Sequence, residues 1–264
     1  MPTRAHIDLN SDLGESFGPW SMGDDEAVLQ QVSSANIACG FHAGDPVTMR
    51  ATAAAAAAAG VAVGAHVAYR DLAGFGRRFL DASRQELTAD VLYQIGALQA
   101  CAAAAGTTVQ YVKPHGALYH ACRSHRPHAQ AVAAAVAEFS RAAGRQVPLV
   151  LQAAAETADS AGIECAEDLG VPVVGEVFAD RAYTAAGELV SRSESGAVIT
   201  DPGAVVQQVL QFVEEGTVQT ADGSMRALRA ETICLHGDTP DAVQISRAVK
   251  AGLNERGVEI RSFV

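Results

Sequence analysis

Short β-branched runs alternate with long alanine-rich helical runs along the whole chain, and that alternation leaves few folds open. The extended runs fall at 6–10, 35–39, 61–66, 109–112, 149–152, 171–177, 232–236 and 259–263, with helical runs at 25–32, 47–59, 84–105, 128–143, 202–215 and 240–254. Strand, helix and strand in succession make a parallel sheet with crossover helices. Pro46, Pro202 and Pro240 each follow a capping or turn residue and mark helix starts, where proline forfeits no hydrogen bond. Gly60, Gly106 and Gly144 stand where a left-handed residue would close a helix. The 264 residues suit one domain spanning 1–264. At 49 % hydrophobic and 19 % charged, the chain has the apolar material for a sizeable core.

An open doubly wound sheet and a closed barrel both meet this pattern. Neither GxGxxG nor GxxxxGK[ST] follows the first extended run, so the usual nucleotide fingerprints of open sheets are missing. Polar residues end nearly every extended run, as a barrel mouth requires. The predicted fold class is therefore α/β, a single-domain β/α barrel of seven or eight parallel strands. The formal net charge of −11 argues against nucleic acid or an anionic membrane as partner. No stretch has the length and apolarity of a membrane span; the alanine run at 53–59 is too short. Residues 1–10 lack the apolar run of a signal peptide, and the five cysteines are scattered without a CxxC pair. A cytoplasmic location with free, buried thiols is expected.

The first extended run leads through Asp8-Leu9-Asn10 into Ser11-Asp12. Alternation at period two sends Asp8, Asn10 and Asp12 to one face, here the barrel interior. Three polar residues on a core face are costly unless they bind each other, a metal or a substrate. His42, His66, His115 and His236 each end a later run beside glycine, alanine or both, and in a barrel they converge on one mouth. Lys113 ends the same run as His115, Glu176 ends one more, and Arg77 and Arg78 lie in a glycine-rich loop. His120, His125 and His128 fall in an arginine-rich segment and read as solvated surface.

Asp12, His66 and His115 are ligand types for a divalent ion that lowers the pKa of bound water. The same residues also serve without metal, with carboxylates as general bases and Lys113 as the cation facing a developing oxyanion. Spacing leaves both open.

Six segments occur in order: DLNSDLGESFG (8–18), NIACGFHAGDP (36–46), GAHVAYRDLAGFGRR (64–78), VKPHGALY (112–119), EVFADRAY (176–183) and LHGDTP (235–240). Together they resemble the LamB/YcsF family across essentially the whole chain. One departure is Val67, where proline is expected after His66. The resemblance implies a barrel of the glycoside hydrolase/deacetylase type that serves as the A subunit of an ATP-dependent 5-oxoprolinase. That enzyme cleaves the lactam of 5-oxo-L-proline with water and ATP to give L-glutamate, ADP and phosphate, in a complex with subunits B and C. Asp12, His66, His115 and Lys113 are then the expected catalytic residues. Asp8, Asn10, Asn36, His42, Glu176, His236, Asp238 and Arg77 are expected to bind substrate or support them. Lys113, Arg77 and Arg78 are the fixed cations that an anionic, phosphorylated intermediate would seek, although the two arginines equally suit solvent or a partner. ATP is the co-substrate, held mainly by the partner subunits, and a divalent metal stays open. Two rivals share the features: a metal-dependent deacetylase acting without ATP, and a non-catalytic subunit that only binds oxoproline.

Overall fold

The computed structural model describes residues 5–153, 160–236 and 241–264, so Asp238 and Pro240 lie outside the described residues. Its strands are β1 (His6–Leu13), β2 (Ser34–Ala38), β3 (Ala62–Val67), β4 (Val109–Pro114), β5 (Leu149–Gln152), β6 (Val173–Phe178), β7 (Thr217–Gln219), β8 (Met225–Ala227), β9 (Thr232–Leu235) and β10 (Glu259–Ile260). Seven of them close a parallel barrel in the order β1-β2-β3-β4-β5-β6-β9, with β9 pairing back onto β1. The eighth expected strand does not enter the wall. Here β10 pairs only with the first residues of β1, His6 with Glu259 and Ile7 with Ile260, and extends the barrel at its base.

The helices are α1 (Asp25–Leu29), α2 (Pro46–Ala59), α3 (Arg84–Ala104), α4 (Gly116–Ser124), α5 (Arg126–Ala143), α6 (Ala161–Asp168), α7 (Pro202–Glu215) and α8 (Ala242–Glu255). Local chemistry sets their ends. Asp45 and Asp201 cap α2 and α7 ahead of a first-turn proline, and Ser83 and Glu86 close a reciprocal box on α3. The helices α4 and α6 and the β7–β8 hairpin are not among the elements expected from the sequence. Each is short, and none presents a long apolar period. No helix among the described residues is long and apolar enough to cross a membrane. All five cysteines are free, four of them buried.

Two cores follow from the alternation. Outward-facing Ile7, Leu9, Ile37, Val63, Val112, Leu149, Val177 and Ile233 pack beneath the helices in one continuous apolar layer. Inside the barrel the base is plugged by Ala62, Tyr111 and Val150, with Val174 and Phe263 against them. Gly64 makes this plug possible, because a Cβ there would lie 2.1 Å from the Tyr111 ring. Tyr111 donates from its hydroxyl to Asn36 Oδ1 at 2.7 Å, and above that level the interior turns polar.

Asp8 sits at this boundary, 1 % exposed, and accepts from Ser33 and Ser34 at 2.6 Å each and from Thr232. Burial outweighs these hydroxyls and pushes its carboxyl up to about 6 from 3.8. The unfolded chain releases this proton near pH 4 and the folded chain near 6, so the site's contribution is complete below pH 4 and is lost as pH rises through 6. A difference of that size corresponds to about 3 kcal/mol. Asp8→Asn is therefore expected to match the parent at pH 4 and to exceed it in stability at pH 7, read from melting temperatures. An equal difference between the two proteins at both pH values would contradict this account.

Candidate active site

The polar interior is a single connected network. Asn10 donates to Glu176 Oε1 at 2.9 Å and to Thr232 Oγ1 at 2.6 Å, while Asn36 donates to Asn10 Oδ1 at 2.6 Å and to Asp12 Oδ1 at 2.8 Å. Lys113 stands at its centre. Its ammonium faces Glu176 Oε1 at 2.7 Å, Asn10 Oδ1 at 3.1 Å, Cys234 Sγ at 3.1 Å and Asp12 Oδ1 at 3.2 Å. Burial alone would lower its pKa, but Asp12, Cys234 and Glu176 together hold it well above the usual lysine range. Burial likewise would raise Asp12, yet His66 and Lys113 hold that carboxyl well below its usual range. Tyr119 donates to the second Glu176 oxygen at 2.8 Å. Three ammonium protons against four acceptors leave no donor to spare for a substrate oxyanion. Lys113 therefore fixes Asp12 as an aimed, permanent anion.

Beside this network the strand-end histidines meet. His66 Nε2 lies 3.2 Å from Asp12 Oδ2 and 3.1 Å from His115 Nδ1. The His42 ring stacks on His115 at 3.8 Å, and its Nε2 is 3.4 Å from Glu15 Oε1. Burial, joined by the neighbouring imidazoles, pushes both His42 and His115 well below the usual histidine range, so both rings are neutral at pH 7. The glycine-rich loop presses on them. Gly76 adopts φ +64, and a Cβ there would sit 2.8 Å from both His42 Cβ and His115 Cδ2, so only glycine permits this approach. His236 joins from the opposite side, its Nδ1 bonded to Asp180 at 2.8 Å and its ring stacked on Phe178.

The mouth opens into a cavity of about 680 Å³ lined by Asp12, Glu15, His66, Lys113, His115 and His236, with Pro114, Tyr119 and Phe178 as apolar wall. Arg77, Arg181 and Arg192 also line it, Arg181 buried with its guanidinium donating to the Ala197 and Val190 carbonyls. The chain thus offers cations at its mouth despite a net charge of −11. Neutral imidazoles, a fixed carboxylate and guanidiniums in the lining suit a small anionic substrate whose reacting bond exchanges protons.

Asn10, Asp12, Asn36, His42, His66, Lys113, His115, Glu176 and His236 come together as expected, with Asp8 one layer deeper. One open choice is decided and one expectation fails. Arg78 does not face the cavity: it is tied to Asp71, which also accepts from Gly74 N at 3.0 Å and so pins the loop. His128 is not solvated. It is fully buried and bonded to Tyr69 Oη at 2.6 Å and to the Ala82 carbonyl at 3.0 Å, because α5 begins at Arg126 and turns it inward. Val67 completes β3 opposite Pro114, and its carbonyl accepts from His115 N at 2.8 Å. Glu15, Cys234 and Asp180 belong to the site without having been singled out from the sequence. Cys234 shares the parity of Thr232 on β9 and is within reach of the period-two argument; Glu15 lies past the end of β1, where no periodicity operates.

A family profile described as LamB/YcsF matches residues 7–264. The chain belongs to that family. Among its relatives, the A subunit of 5-oxoprolinase from Kocuria rhizophila is 56 % identical over 97 % of this chain and 98 % of its own length. The protein of the same name from Paracidovorax citrulli is 55 % identical over 98 % and 99 %. The crystal structure of the lactam utilization protein from Thermus thermophilus superposes with a TM-score of 0.89 at 44 % identity, covering 98 % of this chain and all of that one. A family GH18 chitinase from Chromobacterium violaceum matches at TM-score 0.55 and 13 % identity over 96 % of this chain and 85 % of its own, a likeness of fold alone. LamB/YcsF membership accounts for the ordered motifs, since all six lie within the matched residues.

Proposed function

We propose that this chain is the A subunit of an ATP-dependent 5-oxoprolinase and that the lactam of 5-oxo-L-proline opens to L-glutamate at its barrel mouth. The observation that carries the reading is the identity of 55–56 % with proteins named as the A subunit of 5-oxoprolinase over nearly the full length of both. The site's chemistry supports it. Oxoproline is a small anion, and the cavity lining holds Arg77, Arg181 and Arg192 as cations for its carboxylate or for a phosphoryl group. Asp12, His66 and His115 supply the carboxylate and imidazoles that a water attacking the lactam carbonyl needs. Lys113 and Asn36 hold Asp12 in place, Asn10 and Glu176 hold Lys113, and Phe178 and Tyr119 supply an apolar wall suited to a flat ring.

A five-membered lactam is a poor electrophile, and ATP supplies the activation. The sequence carries no phosphate-binding glycine motif, so the nucleotide belongs mainly to subunits B and C. The test is to assay this chain alone and with both partner subunits. Alone it should show little oxoproline-dependent ATP turnover; together the three should release glutamate and phosphate in step. Robust ATP turnover by the isolated chain would overturn this division of labour. Removal of N-acetyl groups from a sugar without ATP would replace the reading by that of a deacetylase.

A further inference from the structure

Three atoms able to accept a hydrogen bond or bind a cation, His66 Nε2, His115 Nδ1 and Asp12 Oδ2, meet in the barrel mouth. The Lys113 carbonyl lies 3.1 Å from His66 Nδ1, and the Phe75 carbonyl 2.8 Å from His115 Nε2. A carbonyl only accepts, so each ring carries a proton on that nitrogen, and each ring while neutral keeps a lone pair on the other. Those lone pairs, on His66 Nε2 and His115 Nδ1, face each other at 3.1 Å, and Asp12 Oδ2 stands 3.2 Å from the same His66 nitrogen. Next to them His42 is fully buried, and neither of its nitrogens has a hydrogen-bond partner among the described residues; Glu15 comes near without the alignment of a bond. Native interiors seldom leave a polar group in that state.

One cation resolves both anomalies. A ligand atom from each of Glu15, His42, His66 and His115 lies within 4.8 Å of the other three. Four ligands held at zinc's bond length in a tetrahedron stand about 3.3 Å apart. The separations of 3.1 Å between His66 and His115 and 3.4 Å between His42 and Glu15 bracket that figure. Backbone carbonyls on the far nitrogens of His66 and His115 fix the tautomers as outer-shell partners of a metal site do. Three imidazoles and one carboxylate suit a borderline ion; magnesium and calcium prefer oxygen throughout. A second cluster of Asp12, Cys234 and His236 is a poorer host, because the Lys113 ammonium touches two of its members and Asp180 holds the third.

We propose that Glu15, His42, His66 and His115 form a binding site for a divalent transition-metal cation of the zinc class. Asp12 lies against this site through His66, so the metal would stand next to the carboxylate that the Lys113 network aims. The site is a property of the isolated chain and does not depend on the oxoproline reading.

The test uses the full chain stripped with chelator and titrated with zinc chloride by calorimetry, and with cobalt chloride by visible absorption. One ion per chain is expected, with sub-micromolar affinity for zinc, a raised melting temperature and the strong visible bands of four-coordinate cobalt. His42→Gln and His115→Gln should each weaken binding by more than about 100-fold, beyond the usual loss of an outer-shell partner. His128→Gln, which removes a buried histidine outside the cluster, should leave binding unchanged. Nitrogen-15 spectra of the histidines in the parent protein give a readout independent of any variant. Absence of saturable 1:1 binding, or a shared proton on the His66–His115 pair that zinc does not displace, would overturn the proposal while leaving the activity test of the family reading untouched.

Discussion

Lys113→Met is expected to destabilise the folded chain by about 3–5 kcal/mol, the usual cost of removing one partner from a buried ion pair. It should also lower kcat in the reconstituted complex by roughly two to three orders of magnitude, the scale of losing one preorganised electrostatic contact. The two effects share one cause. The lysine is 2 % exposed and is the cation between Asp12 and Glu176, so methionine would leave two carboxylates facing each other at low dielectric. One of them must then take up a proton. Asp12 would lose the charge and the aim that the ammonium imposes. A double variant, Lys113→Met with Glu176→Gln, removes one of the orphaned charges and should recover a good part of the lost stability. It should recover little activity, because Asp12 would still lack its cation. Melting temperature and kcat, measured on both proteins, separate the two losses. Full activity in a folded Lys113→Met protein would remove Lys113 from the mechanism.

His115→Ala is expected to lower kcat by about 10²- to 10⁴-fold, the scale of losing one positioned active-site group. Its effect on stability should be smaller, roughly 1–3 kcal/mol, from the Phe75 carbonyl left without its donor. The local structure explains why so much rests on this residue. Pro114 ends β4 and restricts Lys113 to an extended conformation, and His115 then caps α4 without a side-chain bond of its own. Its amide is bound by the Val67 carbonyl, its ring donates to the Phe75 carbonyl and His42 stacks on it, so little freedom remains to be lost on reaching the transition state. His115→Asn keeps a polar side chain at the position but removes the imidazole, so it separates the ring's part in catalysis from packing. Its kcat should fall with that of the alanine variant while its melting temperature stays nearer the parent. Near-normal kcat in a destabilised His115→Ala protein would assign the residue to structure alone.

Much of the architecture is legible in the sequence. The alternation at 6–10, the capped starts of α2 and α7 and the strand-end histidines are local signals, each readable from neighbours along the chain. The first extended run is expected to stop at Asn10, but β1 runs on to Leu13, since pairing with β2 extends it. The short helices α4 and α6 escape such reading because a helix of two turns owes its stability to packing rather than to its own pattern. His128 misleads for a related reason: arginines around it suggest solvent, while one turn of α5 points it at Tyr69.

The sequence by itself determined a parallel barrel, the inward face of β1 and the set of side chains that end its strands. It did so because period-two alternation and helix capping act over a few residues. Only the tertiary structure decided how those side chains pair. That Lys113 is spent on Asp12 and Glu176, and that Glu15 joins three histidines, are contacts between different strands and loops across the barrel. Arg78 belongs to Asp71 because their loop folds back on itself. Barrel closure between β1 and β9 sets the distances across the mouth, and no local periodicity encodes them.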